Sequence, residues 1–377
     1  MRSRIAVIVL AAGVAASMAL GEFIPFLTVV GEEFTLSLTA VGWLSSLITL
    51  VAGLACLPLG SWMDRHRLRG AFVAALVALG AAGLGAAFVA ETSVLFAVRL
   101  IQAGGYALVM IAGPSLLVRL LEGRARQTAL ALWGLCIPAG LALANAVGAL
   151  AGAASWRAEV AGVGVITLLV AALAGTLPGD NRPGGQGEGD RLRRPRTGWA
   201  VAALAAGFSL IALTGVSVVT VLPAYLTAGL SLPASRASLL TGLVSAASVL
   251  GSLTASATLR AGARPARLIS AALLMAPLSA GVFWEMPVAL VVMCAAAVLG
   301  LNGLAVSAVF AALPTVAAGR VAWGVGAVTQ AGSLGTLLGP PSYAWVVDSS
   351  GWSAAIVVTA AIVITGVGCA AVSTRPR

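Results

Sequence analysis

Few residues in this chain are equipped for chemistry, and two of them stand where apolar side chains are expected. Glu22 lies in "MALGEFIPFL", inside an apolar run that begins at Ile5 and ends at Glu32. Arg99 lies in "FAVRLIQAGGYALV", inside another such run. Unpaired, each would cost several kcal/mol in hydrocarbon, so such residues normally face a bundle interior and find partners. Glu22 is about seven residues from the far end of its predicted span, near residue 29, roughly 10 Å at a rise of about 1.5 Å per residue. Arg99 is about six residues from the start of its own run, roughly 9 Å deep. Matching depth on oppositely directed helices predicts that the two face one cavity and pair there. A carboxyl that gains and loses a proton beside a guanidinium suits proton coupling or the holding of a charged solute.

The neighbours extend that chemistry. Arg99, Gln102 and Tyr106 are spaced i, i+3, i+7 and share one helix side. In a later run Thr214, Ser217 and Thr220 recur every three residues, with Tyr225 further along, and Asn302 supplies an amide from a third run. With Phe26, the expected substrate-binding set is Gln102, Tyr106, Phe26, Ser217, Thr220, Tyr225 and Asn302. Hydroxyls also serve helix contacts in membranes, and the stripe Thr241, Ser245, Ser248, Ser252 reads as packing. The four cysteines, Cys56, Cys136, Cys294 and Cys369, fall in apolar segments without metal-type spacing and read as small hydrophobes. The single histidine, His66, sits in an arginine-rich turn. With no His–acid cluster, nucleophile motif or phosphate-cradling loop, an enzyme is not expected, nor a metal or cofactor.

The elements that must position these residues follow from composition. Of 377 residues, 60% are hydrophobic and 9% charged, against about 25% charged in soluble domains. The chain reads as a polytopic membrane protein. Its N-terminus could pass for a secretory signal, but the apolar run continues beyond the would-be cleavage site. At about 20 residues per span, twelve are predicted, at about 5–29, 40–62, 70–90, 93–118, 127–151, 158–178, 199–227, 236–259, 266–284, 287–314, 322–347 and 352–373. The net charge of +10 comes entirely from arginine, as lysine is absent. The arginines lie in short spacers and form no stripe, which argues against a nucleic-acid partner.

Nineteen of the 22 arginines fall on one side if the spans alternate; Arg157 and Arg236 fall on the other, and Arg99 lies within a span. The positive-inside rule then puts both termini in the cytoplasm. Glu32, Glu33, Glu91, Glu159, Glu285 and Asp348 fall outside. The Gly-, Pro- and charge-rich segment 179–198 reads as a flexible cytoplasmic linker between six-helix bundles at 1–178 and 199–377. Faint echoes relate the halves: Pro25 to Pro223, Arg65 to Arg260, Gln102 to Asn302 and Pro114 to Pro314, at offsets near 200. Parallel repeats of this kind occur in transporters whose halves rock about a midplane site. In the alignment Glu22 meets Thr220 and Arg99 meets Leu299, so the charged pair belongs to the first half alone.

Nearly the whole chain resembles the major facilitator superfamily. "GSWMDRHRLRGA" is similar to its loop motif "G-x-L-a-D-R-x-G-R-R", with Gly60, Asp64, Arg65 and Arg69 fitting, and Arg67 and Leu68 departing. The resemblance implies a conformational role for these four. "RLIQAGG" resembles the family's "R-x-x-Q-G", whose arginine is associated with proton coupling, with Ala103 in the glycine's place. "GEFIPFLTVVGEEF" looks like the start of the 12-span drug:proton antiporter branch, which includes sugar-efflux-like members. The cyanate and nitroimidazole transporter branch is a second choice. The antiporter motif "G-P-x-x-G-G" is partly kept by Gly134 and Pro138, and more closely by Gly335, Gly339 and Pro340 in "GTLLGPP".

The expectation is an all-helical membrane protein of twelve spans in two six-helix bundles, a monomer in a bacterial cytoplasmic membrane. It would move a small organic molecule by alternating access, with proton-coupled efflux through Glu22 and Arg99. Burial and the arginine act oppositely on Glu22's hold on its proton, and protonation from outside would loosen the pair. The alternatives are uptake of a small organic anion anchored by Arg99, and a membrane sensor or scaffold without transport.

Overall fold

Apolar runs of this length fold as helices because hydrocarbon offers no partner to a backbone N–H or C=O. The computed structural model describes residues 2–63, 68–122, 125, 129, 132–151, 156–179, 198–284, 286–316 and 321–374, and among them every regular element is helical. Helix α1 spans Arg2–Gly21 and is prolonged by a 3-10 turn, Ile24–Phe26, and a short helix, Leu27–Glu33. Helix α2 comprises Leu38–Ser46, a 3-10 turn at Leu47–Thr49, and Leu50–Met63. Then come α3 (Leu68–Ala86), α4 (Thr92–Leu120), α5 (Cys136–Ala151) and α6 (Trp156–Ala174). Helix α7, Gly198–Ala224, passes into a π turn at Tyr225–Gly229, and α8 spans Ala234–Arg260. Helix α9 joins Pro265–Ala271 to Met275–Phe283 through a 3-10 turn. Helices α10 (Val288–Val316), α11 (Val321–Ser350) and α12 (Trp352–Thr374) follow.

Ten of these segments are long and apolar enough to cross a bilayer, and Cys136–Gly148 is a shorter apolar helix. Their large apolar side chains point outward: Leu169 is 62% exposed, Leu250 64%, Met293 65% and Val357 69%. Polar groups such as Gln102, Asn145 and Thr214 are buried instead. That inversion of the soluble pattern is what a lipid surround demands.

The predicted spans were continuous, and several of the helices are not. Pro25 has no N–H for the Gly21 carbonyl and its ring would crowd that oxygen, so α1 stops at Gly21. Glu22 and Phe23 form a turn, and the Phe26 N–H bonds Phe23 O at 3.0 Å. At the related place in α7 the helix widens after Pro223, with Leu230 N–H on Tyr225 O at 3.1 Å. The described start of α5 is Cys136, later than the predicted 127. Asp64, Arg65, His66 and residues 180–197 of the predicted linker lie outside the described residues.

Two buried apolar clusters lie within residues 5–177, and a third draws nearly all its members from residues 200–370. Small residues let neighbouring helices touch backbone to backbone. A Cβ added at Gly335 of α11 would lie 2.0 Å from Ser209 O of α7, and one at Gly339 2.5 Å from Ser217 Oγ. The first and last six helices meet along α2–α11 and α5–α8. Gly42 packs on Pro340 and Pro341, Gly53 on Leu334, and Gly242 on Asn145. Thr39 donates to Asp348 Oδ2 from its backbone N at 3.2 Å and from Oγ1 at 2.8 Å, and Ser238 Oγ donates to Pro25 O at 2.8 Å. These three hydrogen bonds lie at the end where α1 finishes and α2 begins, the predicted outer end.

Candidate transport site

Three interrupted or polar helix faces converge on Arg99. Because α1 ends at Gly21 and the first piece of α2 at Ser46, the carbonyls of Ala19, Leu44 and Ser45 lose helical N–H partners. Arg99 of α4 collects all three. Its Nη1 donates to Ala19 O at 2.9 Å, its Nε to Leu44 O at 3.0 Å and its Nη2 to Ser45 O at 3.4 Å. A cation at two helix C-termini is also favoured by their dipoles. The guanidinium carbon stands 4.7 Å from the Phe23 ring centroid, a cation–π contact.

Glu22 completes the cluster. Its Oε1 accepts from Arg99 Nη1 at 3.1 Å and from Gln102 Nε2 at 2.9 Å, while Gln102 Oε1 accepts from Arg99 Nη1 at 2.8 Å. Arg99 Nη1 has two hydrogens for three acceptors, so one contact is shared. Glu22 Oε2 has no hydrogen-bond partner. Glu22, Arg99 and Gln102 are each fully buried. The sequence predicted a pair facing a cavity; the structure seals it. The reason is local: Phe23 and Phe26 pack over the break, and the two halves touch on that side.

The remaining candidates divide. Thr220 Oγ1 lies 3.5 Å from Ser45 Oγ, one hydroxyl removed from the arginine. Thr220 also borders a cleft of about 350 Å³ between the halves, with Leu27, Thr28, Glu32, Val41 and Ala344. Ser217 is buried against Gly339, its hydroxyl without a partner. Tyr106 is in the first-half core, and Phe26 packs in the cluster around Trp156. Asn302 Nδ2 donates to Ile211 O at 2.7 Å within the second half. Tyr225 is not brought to the charged pair: its hydroxyl donates to Trp284 O at 2.7 Å, and its ring meets Phe283 and Trp352. Arg69 donates to Gly175 O, Gly60 lies in α2, Gly134 in the turn before α5 and Pro138 within α5. The hydroxyls of Thr241, Ser245 and Ser252 bond backbone carbonyls.

One acid has a burial that the sequence did not foretell. Glu159, placed on the predicted outer side, occupies the first turn of α6 and is 4% exposed. A carboxylate at a helix start reads as a loop residue unless the packing behind it is known. Here the surface is instead carried by Arg157 and Glu33, paired at 2.7 Å, while the buried Trp156 donates to Glu33 from beneath at 2.8 Å.

Helices that turn apolar faces outward and enclose an ion pair between broken segments define a polytopic membrane protein with a charged centre. The chain belongs to the major facilitator superfamily, whose family model matches residues 5–320. It is accordingly a membrane transporter and not an enzyme. Its fold is similar to a bacterial homologue of the human lysosomal transporter Spinster, solved inward-facing and unoccupied. That likeness has a TM-score of 0.83 at 14% identity, covering 99% of this chain and 97% of the other. The same homologue, inward-facing and occupied, aligns at 0.75. The human organic anion transporter MFSD10 (TETRAN) aligns at 0.71 with 16% identity, covering 98% and 99%. No curated protein matches this sequence.

Proposed function

We propose that the chain is a proton-coupled secondary transporter of the drug:proton antiporter kind, exporting a small organic molecule across a bacterial cytoplasmic membrane by alternating access. In this reading twelve spans form bundles at 1–178 and 199–377, both termini are cytoplasmic, and a monomer is the working unit. The closed contacts at the predicted outer end support an inward-facing state, in which substrate would enter from the cytoplasm.

One observation carries the coupling: Glu22 is fully buried, with Oε1 doubly bonded and Oε2 without a partner. A proton has somewhere to go, and its arrival weakens the hold on Arg99 and Gln102. Arg99 itself does not lose its place, because three carbonyls keep it. Protonation therefore moves the Glu22 side of the site, and the membrane potential adds about 2.3 kcal/mol per charge per 100 mV. A thermal-shift screen of metabolites and drugs on purified protein supplies a ligand, whose flux in proteoliposomes is then followed with a pH dye. Glu22→Gln is expected to abolish pH-driven transport and spare passive exchange. Equal rates for both proteins across a pH gradient would refute the coupling.

A second reading is uptake of an organic anion on Arg99. It is favoured by Nη2, whose contact to Ser45 O is long at 3.4 Å and so leaves donor capacity, and by the organic anion transporter among the similar structures. Arg99→Lys keeps the charge but loses the two-pronged fork. Unaltered affinity for a bound carboxylate in that variant would rule this reading out.

A further inference from the structure

Beside Glu22 lies an acid that takes no part in the Arg99 cluster. Glu159 is 4% exposed, and neither of its carboxyl oxygens has a hydrogen-bond partner. A carboxylate in a first helical turn ordinarily takes the free N–H groups there; this one takes none of them. Gly148 of α5 makes its room. A Cβ there would lie 2.7 Å from Glu159 Oε2 and 2.5 Å from the Pro25 ring. The carboxyl thus sits against the proline that breaks α1.

The same turn of α1 brings Glu22 to this level. The Phe23 ring, next in the chain to Glu22, is 5.9 Å from that of Trp156, three residues before Glu159 in α6. Glu22 and Glu159 each have at least one oxygen without a partner. Two like charges in a dry site disfavour simultaneous ionisation, so their protons are coupled.

The other ionisable groups do not relieve this. From α1's extension, Glu33 is engaged by Trp156 and Arg157 at the surface. From α4, Arg99 is committed to Glu22, Gln102 and carbonyls. Helix α3 offers Arg69, bound to Gly175 at the opposite end. Among the described residues of α5 the ionisable group is Cys136, at its far start.

We propose that Glu159 is a second proton-binding site that loads Glu22 from the predicted outer face. A proton from water enters beneath the Glu33–Arg157 pair and rests on Glu159. It then passes to the open oxygen of Glu22, leaving Glu159 ionised until the next proton arrives. Glu159 stands in the first turn of α6, two residues from Arg157, whose side chain reaches the surface in its pair with Glu33, while Glu22 is held inside by Arg99 and Gln102; that sets the order. The proposal rests on reading Glu22 as the proton carrier.

Infrared pH titration of the full chain in nanodiscs, in H2O and D2O, tests this without a substrate, because buried protonated carboxyls show their own C=O bands. Two such bands are expected to titrate. Glu22→Gln should remove one; Glu159→Gln should remove the other and move the remaining midpoint by about one pH unit, the scale of a coupled pair. Glu159→Asp should restore a band, which separates loss of the acid from loss of fold. If Glu159→Gln removes no band or leaves the Glu22 midpoint in place, the loading site is refuted while Glu22 stands. If Glu22→Gln removes no band, the carrier reading falls and the loading route with it.

Discussion

Arg99 is held by more than its counter-ion, and that decides how the two charged residues respond to mutation. Removing the arginine side chain leaves three carbonyls without their side-chain donor and a buried carboxylate with Gln102 alone, and breaking a buried pair this way costs about 3–5 kcal/mol. Glutamine at position 22 can still accept through one oxygen. Thermal unfolding in detergent should therefore show Arg99→Ala far less stable than Glu22→Gln; equal losses would mean that the carbonyls do not matter. The meeting of Glu22 and Arg99 was legible in the sequence, since two charges at matching depth in apolar runs have little choice but each other. Glu159 was not legible. Its neighbours in sequence mark a helix boundary, and only the approach of Gly148 and Pro25 from other helices makes it interior.

Among the elements, the helices follow from apolar length and their interruptions do not. Proline inside a run predicts a lost hydrogen bond, yet Pro25 yields a 3-10 turn and the related Pro223 a π turn. Packing against neighbours selects between them. Glycine placement shows the same limit. "GTLLGPP" read as a displaced antiporter motif, and in the fold its glycines form the backbone-to-backbone seam of α7 and α11. Gly335→Ala forces that seam apart and is expected to cost about 1–3 kcal/mol. Gly104→Ala, with no atom within 4 Å of the added Cβ, should be neutral or gain up to about 1 kcal/mol. Chemical or thermal melts of the two variants check the contrast.

For the whole molecule, the faint repeat pointed to two related halves, while the places where they touch are invisible in sequence. Thr39 and Asp348 are 309 residues apart, beside the predicted spans 40–62 and 322–347, with nothing in the sequence to pair them. Their two hydrogen bonds, with Ser238 on Pro25, latch the predicted outer end. Exposed bonds of this kind contribute about 0.5–1.5 kcal/mol each, so Asp348→Ala should shift the balance several-fold toward opening there. A cysteine introduced at Leu36, on the cleft rim, should then react faster with a membrane-impermeant maleimide. An unaltered rate would mean that the latch is not a determinant of the state.

Pro25 unwinds α1 beside Glu22, flanks Glu159 and lends its carbonyl to Ser238 of the opposing half. A single residue thereby ties the wetting of both acids to whether the halves are apart at that end. Parting them would hydrate the carboxyls and release the tie in one motion; closing would dry them and restore it. If the acids carry protons as proposed, this wiring is a built-in defence against short-circuit, since the exchanging groups would not see both compartments in a single posture.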